Sequence, residues 1–201
     1  MDGNTGSVVL INLFEVPATA ADGFVAGWER SRDFLVGQDG YLSTELHRSL
    51  GPDADFRFVN VAHWQSPAAF QAAVSQPGFP GRELPFPSHP GLYQVVREDP
   101  LPEDDPGGVV LINAFEVPAD GDETFLPSWE RTRDFQRQQP GYLATRLHRS
   151  LSPEADFRFV NVARWRSAAA FQTAVAQPGF RQLAAAFPYG THPALYQVIG
   201  R

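Results

Sequence analysis

The chain is 201 residues long, 43% hydrophobic and 12% aromatic, with a formal net charge of −7, a globular composition rather than a disordered or fibrous one. Its arginines are scattered through an acidic sequence with no segregated basic face, which excludes a nucleic-acid partner. Cysteine is absent, excluding disulfides, thiolate catalysis and thiolate-held metals; no run nears the roughly 20 apolar residues of a membrane span and no basic segment precedes the first apolar run, so a cytoplasmic protein with no membrane partner is expected.

The first element, Val8 to Val16, is a β-branched and aromatic run closed by Pro17, and reads as a strand. Asp22 to Gln38 follows with Phe24, Trp28 and Leu35 at helical spacing and charges on the other face, which predicts a helix. Gly40 breaks it. Tyr41 to Ser49 is a second strand, the turn residues Gly51, Pro52 and Asp53 lead into a third, Phe56 to Trp64, and the two should form a hairpin. Ser66 suits the N-cap of a second helix through Ala68, Phe70, Ala73 and Val74, stopped by Pro77 and Gly78, and Leu92 to Arg97 is a last strand. This order, βαββαβ, is ferredoxin-like.

The pattern then recurs at an offset of 101 residues, with the second copy two residues longer before His192-Pro193. Trp28-Glu29-Arg30 returns as Trp129-Glu130-Arg131, Leu46-His47-Arg48-Ser49 as Leu147-His148-Arg149-Ser150, and Phe56 to Ala62 as Phe157 to Ala163. A period this long belongs to complete domains rather than to stacked repeat modules. Residues 7–97 form the first domain, the acidic Pro/Gly stretch 98–107 a linker, and 108–201 the second domain. The copies differ most where Pro80 to Pro85 faces Arg181 to Phe187.

Strand alternation sorts the side chains by face. Val9, Ile11, Leu13, Val59 and Val61 share an aliphatic face that suits helix packing, while Asn12, Phe14, Phe58, Asn60 and Trp64 share one that mixes aromatics with amides. The second set, with Asn113, Phe115, Phe159, Asn161 and Trp165 in the other copy, is expected to line cavities between two sheets packed against each other. The fold class is therefore α+β, two tandem ferredoxin-like domains packed sheet to sheet as an internal pseudo-dimer whose edges leave room for further homo-oligomerisation. His47 and His148, on the parity of Tyr41 and Ser43, are expected to face the same cavities, where a histidine is a natural general base.

The segment Phe-Arg-Phe-Val-Asn-Val-Ala-x-Trp-x-Ser-x-x-x-Phe stands at Phe56 to Phe70 and again at Phe157 to Phe171, with Gly40-Tyr41-Leu42 and Pro140-Gly141-Tyr142 ahead of Leu-His-Arg-Ser. With these motifs the chain resembles the antibiotic biosynthesis monooxygenase (ABM) superfamily over essentially all of both copies. The resemblance implies a dimeric α+β barrel. It also implies substrate contacts from an Asn and from a Trp four residues later on the third strand, here Asn60 with Trp64 and Asn161 with Trp165. Some members place a Tyr where this chain has Phe70 and Phe171, so no hydroxyl chemistry carries over to those two positions, which count as substrate-contacting only. The haem-degrading members carry a Trp and a haem-ligating His about the second helix; residues 68–79 and 169–180 contain neither.

The activity implied is oxidation of a polycyclic aromatic, an anthrone or phenol of polyketide type, to a quinone by dioxygen, with no metal, flavin or other cofactor. Asn60, Trp64, Asn161, Trp165, His47 and His148 are the expected catalytic residues; Asn12, Phe14, Phe58, Phe70, Asn113, Phe115, Phe159 and Phe171 are expected to bind substrate. The partners are a small aromatic molecule and dioxygen. Two alternatives stand beside this: a non-oxidative polyketide cyclase or isomerase with His47 or His148 as base, and a ligand-binding module without turnover.

Overall fold

The computed structural model describes residues 6–83, 85–102 and 108–201. They fall into two compact units, one reaching to Gln94 and taking in Val198–Arg201, the other spanning Val95–Gln197. Each unit is a ferredoxin-like α+β fold, as its sequence predicts.

In the first copy, strand β1 (Val8–Phe14) is followed by helix α1 (Ala21–Val36), strands β2 (Tyr41–Ser49) and β3 (Phe58–Trp64), helix α2 (Pro67–Ser75), a 3-10 turn at Pro80–Glu83 and strand β4 (Ser88–Asp99). All pairings are antiparallel, giving the order β4-β1-β3-β2. The second copy repeats this as β5 (Val109–Glu116), α3 (Asp122–Arg137), β6 (Tyr142–Ser150), β7 (Phe159–Trp165), α4 (Ala168–Val175), α5 (Pro178–Ala185) and β8 (Gly190–Gly200), in the order β8-β5-β7-β6. Helix α5 replaces the 3-10 turn of the first copy, where the two sequences diverge. Among the described residues no helix is long and apolar enough to cross a membrane.

Local chemistry explains the boundaries. Ser66 caps α2 by accepting from the Ala69 N–H at 3.1 Å, and Ser167 does the same for Ala170. Gly40 and Gly141 sit at φ +81° and +91°, where a Cβ would also lie 2.5 and 2.6 Å from the methyls of Ala69 and Ala170; only glycine lets helix and strand join so close to the next helix. The Gly40 carbonyl then accepts from Gln65 N–H at 2.8 Å.

Two expectations need correction. Glu98 and Asp99 are the end of strand β4, and Asp99 is buried, so the first two residues of the expected linker 98–107 are structural; residues 103–107 of it lie outside the described ones. The two sheet faces are also exchanged. The helices lie on the aromatic and amide face: Phe24 of α1 stacks on Phe58 at 4.5 Å and meets Phe14 edge-on at 4.8 Å, with Trp28 and Leu46 completing the cluster. The second unit matches it with Phe125, Phe159 and Phe115. Each such ring pair adds about 0.5–1.5 kcal/mol beyond its area, and α1 carries the large rings that reach Phe58. Val9, Ile11, Leu13, Val59 and Val61 occupy the opposite face, also buried.

Candidate active site

Residues of α1 and α2 and the middle of β1 and β3 enclose a cavity of about 380 Å³, with the strands as its floor. Asn12 and Asn60 are directly paired across those two strands, so their carboxamides stand side by side in the floor. Phe14, Trp28, Leu35, Phe70 and Phe79 make the apolar wall, and Arg32, Tyr41 and Thr44 supply the remaining polar atoms. The equivalent cavity of the second unit is smaller, about 180 Å³, with Asn113 and Asn161 in its floor and Phe180, Ala184 and Phe187 narrowing it. Phe180 and Ala184 come from α5, the helix the first unit lacks.

The orientation of Asn60 is fixed by chemistry. Its Oδ1 accepts from Trp28 Nε1 at 2.8 Å and from Thr44 Oγ1 at 2.8 Å. An indole N–H only donates, so the oxygen must face it and the Nδ2 donors are turned toward the cavity. Asn161 Oδ1 accepts from Thr145 Oγ1 at 2.7 Å, a hydroxyl that can serve either amide atom. Asn12 Oδ1 is buried with no hydrogen-bond partner, whereas Asn113 Oδ1 accepts from the His192 backbone N–H at 3.0 Å.

An arginine lines each cavity, Arg32 the first and Arg133 the second, and the two have different partners. In the second unit Asp99 accepts from Arg133 through both Nε, at 2.9 Å, and Nη2, and from the Tyr142 hydroxyl at 2.6 Å. Arg133 holds the Asp99 carboxyl below its ordinary value, and burial, reinforced by Asp99, pushes the Tyr142 hydroxyl well above its own. In the first unit Gly200 takes the position of Arg97 in the repeat, as Pro193 answers to Pro90 and Tyr196 to Tyr93. Arg32 bonds instead to the neighbouring Asp33 and to the Arg201 carbonyl and lies 5.3 Å from the centre of the Trp28 ring. Burial raises the Tyr41 hydroxyl, with Arg32 opposing.

The expected site residues separate cleanly. Asn12, Phe14, Asn60 and Phe70 are brought together around one cavity, and Asn113, Phe115, Asn161 and Phe171 around the other. Phe58 and Phe159 lie beneath, stacked on helix phenylalanines. Trp64 and Trp165 are fully buried with unpartnered Nε1 atoms and line neither cavity. Tyr41 and Phe70 cover Trp64 edge-on at 5.5 and 5.6 Å, and Tyr142 and Phe171 cover Trp165.

His47 and His148 are on the wrong side of the sheet for the role expected of them. A bulge at Leu42 makes Tyr41 pair with Trp64 but Ser43 with His63, so Tyr41, Thr44 and Leu46 face the cavity while His47 sits opposite Val59 on the far face. Its Nδ1 is 3.2 Å from the Val59 carbonyl, and His148 Nδ1 is 3.1 Å from that of Val160. The same bulge falls between Tyr142 and Ala144.

Sequence reasoning passed over Arg32, Thr44 and the hydrogen bond that Trp28 makes to Asn60. The signal for Trp28 was present in the exact return of Trp-Glu-Arg in both copies, but core packing explained it equally well.

Residues 7–80 and again 108–186 match the family described as antibiotic biosynthesis monooxygenase. Deoxynogalonate monooxygenase of Streptomyces nogalater is 37% identical over 72 residues, 36% of this chain; the match spans 58% of that relative's length. Among solved structures, an anthrone oxidase-like protein superposes with a TM-score of 0.76 at 17% identity, over 98% of this chain and 92% of its own. A monooxygenase-like protein of Listeria innocua does so with a TM-score of 0.54 at 12% identity, over 98% and 96%. At such identities these two likenesses are of fold.

Proposed function

The chain belongs to the antibiotic biosynthesis monooxygenase family, and on that premise we propose that it oxidises a polycyclic phenol or anthrone to a quinone with dioxygen, without a metal or organic cofactor. The observation that carries this reading is the Asn60 carboxamide, locked by Trp28 and Thr44 with its N–H donors turned into a cavity walled by Phe14, Trp28, Phe70 and Phe79. A flat aromatic ring suits those walls, and an anionic oxygen suits that donor and the Arg32 guanidinium. The similarity to deoxynogalonate monooxygenase supports the same chemistry.

The chain's task is to hold the substrate as its anion. Arg32 and Asn60 stabilise negative charge on the substrate oxygen in a site partly shielded from water, and so lower the cost of losing its proton. The anion gives one electron to dioxygen, and the resulting superoxide joins the substrate radical at carbon. Protonation yields a hydroperoxide. That carbon then loses its remaining hydrogen as a proton while the O–O bond breaks and hydroxide departs, leaving one oxygen as the new carbonyl and the other as water. The substrate supplies all four electrons. Donors to the anion are worth about 1.5–3 kcal/mol each, and positioning supplies the rest. Burial keeps Tyr41 protonated and therefore a hydrogen donor rather than a base.

The test is oxygen uptake by the purified chain with a panel of anthrones and naphthols, corrected for autoxidation, beside the Asn60→Ala/Asn161→Ala double variant. Uptake with quinone formation, lost in the variant, is expected. Equal uptake by both proteins would sink the proposal.

A further inference from the structure

Helix α3 presents one face to the second cavity: Trp129, Thr132, Arg133 and Gln136 line it, at the spacing of residues on one side of a helix. The first three repeat Trp28, Ser31 and Arg32 of the first cavity, but Gln136 stands where the first copy has Leu35. Gln136 is 7% exposed, and its carboxamide has no hydrogen-bond partner among the described residues. A buried amide without partners costs stability, and a leucine in its place would not. Buried polar groups are normally satisfied; a glutamine on a cavity wall with donor and acceptor both open is one that a ligand completes.

The walls set the size of that ligand. A cavity of roughly 150 Å³ holds a benzene molecule. The second cavity, about 180 Å³, therefore has room for a single ring with a small substituent, whereas the first, about 380 Å³, has room for several fused rings. Helix α5 makes much of this difference by bringing Phe180 and Ala184 to the second cavity. Phe115, Phe171 and Phe187 complete an aromatic wall that suits a flat ring. A carboxamide both donates and accepts, and the smallest ring substituent that can answer it in both senses is a hydroxyl.

We propose that the second cavity is a separate binding site for a monocyclic phenol, with Gln136 recognising its hydroxyl and helix α5 limiting it to one ring. The chain then carries two sites of different size and polarity, and the wider one, walled by Leu35 at the matching position, takes the polycyclic substrate. Only that last assignment rests on the proposed function; the ligand of the second cavity is read from Gln136 and the cavity's size alone.

The test is calorimetric titration of the full chain with phenol, and with benzene as the same ring without the hydroxyl, both beside saturating alizarin. Alizarin is a three-ring quinone, already oxidised, that occupies the wider cavity without turnover. One equivalent of alizarin and one further equivalent of phenol are expected. Gln136→Leu should weaken phenol about tenfold, the effect of losing its hydrogen bonding, and should leave benzene as tight or tighter; a merely structural role for Gln136 would weaken both. Ala184→Trp, which fills the second cavity from α5, should abolish the phenol equivalent and leave alizarin bound. Phenol binding that is unchanged in Gln136→Leu, or that survives Ala184→Trp, would overturn the inference when circular dichroism shows the variants folded. So would two equivalents of alizarin, or no phenol bound beside one. Loss of oxygen uptake with anthrones would count only against the proposed function, because the phenol titrations do not depend on turnover.

Discussion

Replacing Asp99 should cost stability in a manner that depends on pH in both directions. The carboxylate receives three hydrogen bonds, two from Arg133 and one from Tyr142. Hydrogen bonds to charged groups contribute about 1.5–3 kcal/mol each and do not add fully when they share an acceptor, so Asp99→Asn should lose about 2–4 kcal/mol at neutral pH. A domain with about 5–15 kcal/mol of stability remains folded after such a loss. The Asp99 carboxyl is held below its ordinary value by Arg133. Its contribution is therefore complete above the unfolded value of about 3.9 and disappears as pH falls through the lower folded one. Tyr142 is raised, so its contribution is complete below about pH 10, the unfolded value, and declines above it. Urea unfolding from about pH 2.5 to 11 should give a difference between the two proteins that is flat near neutrality and shrinks at both ends. A difference independent of pH would show that Asp99 acts through packing rather than charge.

Thr44→Val removes one of the two donors that orient Asn60; it should lower kcat for oxygen uptake about tenfold, with about 1 kcal/mol of stability lost in thermal unfolding. Gly40→Ala, at φ +81° with its new methyl 2.5 Å from Ala69, should destabilise by about 1–3 kcal/mol, measured as a shift in the urea midpoint. His47→Gln should leave the pH profile of kcat unchanged per folded molecule, because His47 lies across the sheet from the cavity. A lost alkaline or acid limb in that profile would restore the histidine as base.

The sequence was most legible where structure is set locally. The duplication, the βαββαβ order, the Ser66 cap and the breaks at Gly40 and Gly141 all depend on neighbours a few residues away, and strand β2 falls at the residues its pattern predicts. Strand β4 was misread at its end because Glu98 and Asp99 open an acidic, Pro-containing stretch. Nothing local reveals that Asp99 will be buried against Arg133 and Tyr142, more than thirty residues away.

The site was legible in its floor and not in its walls, for a reason that lies in one residue. Alternation is a rule of period two, and a single extra residue inverts it. With Leu42 bulged, Tyr41 and Thr44 both reach the cavity side and His47 is thrown to the other face. The helix face was misjudged for a related reason: amides among aromatics suggest a surface that a helix should avoid, but α1 brings an indole N–H to satisfy Asn60. Once Trp28 is a hydrogen-bond donor as well as a core residue, the position opposite it becomes decisive. Gly200 stands there, where a Cβ would lie 2.7 Å from the indole, while Arg97 holds the matching place in the other copy and bonds to Glu130.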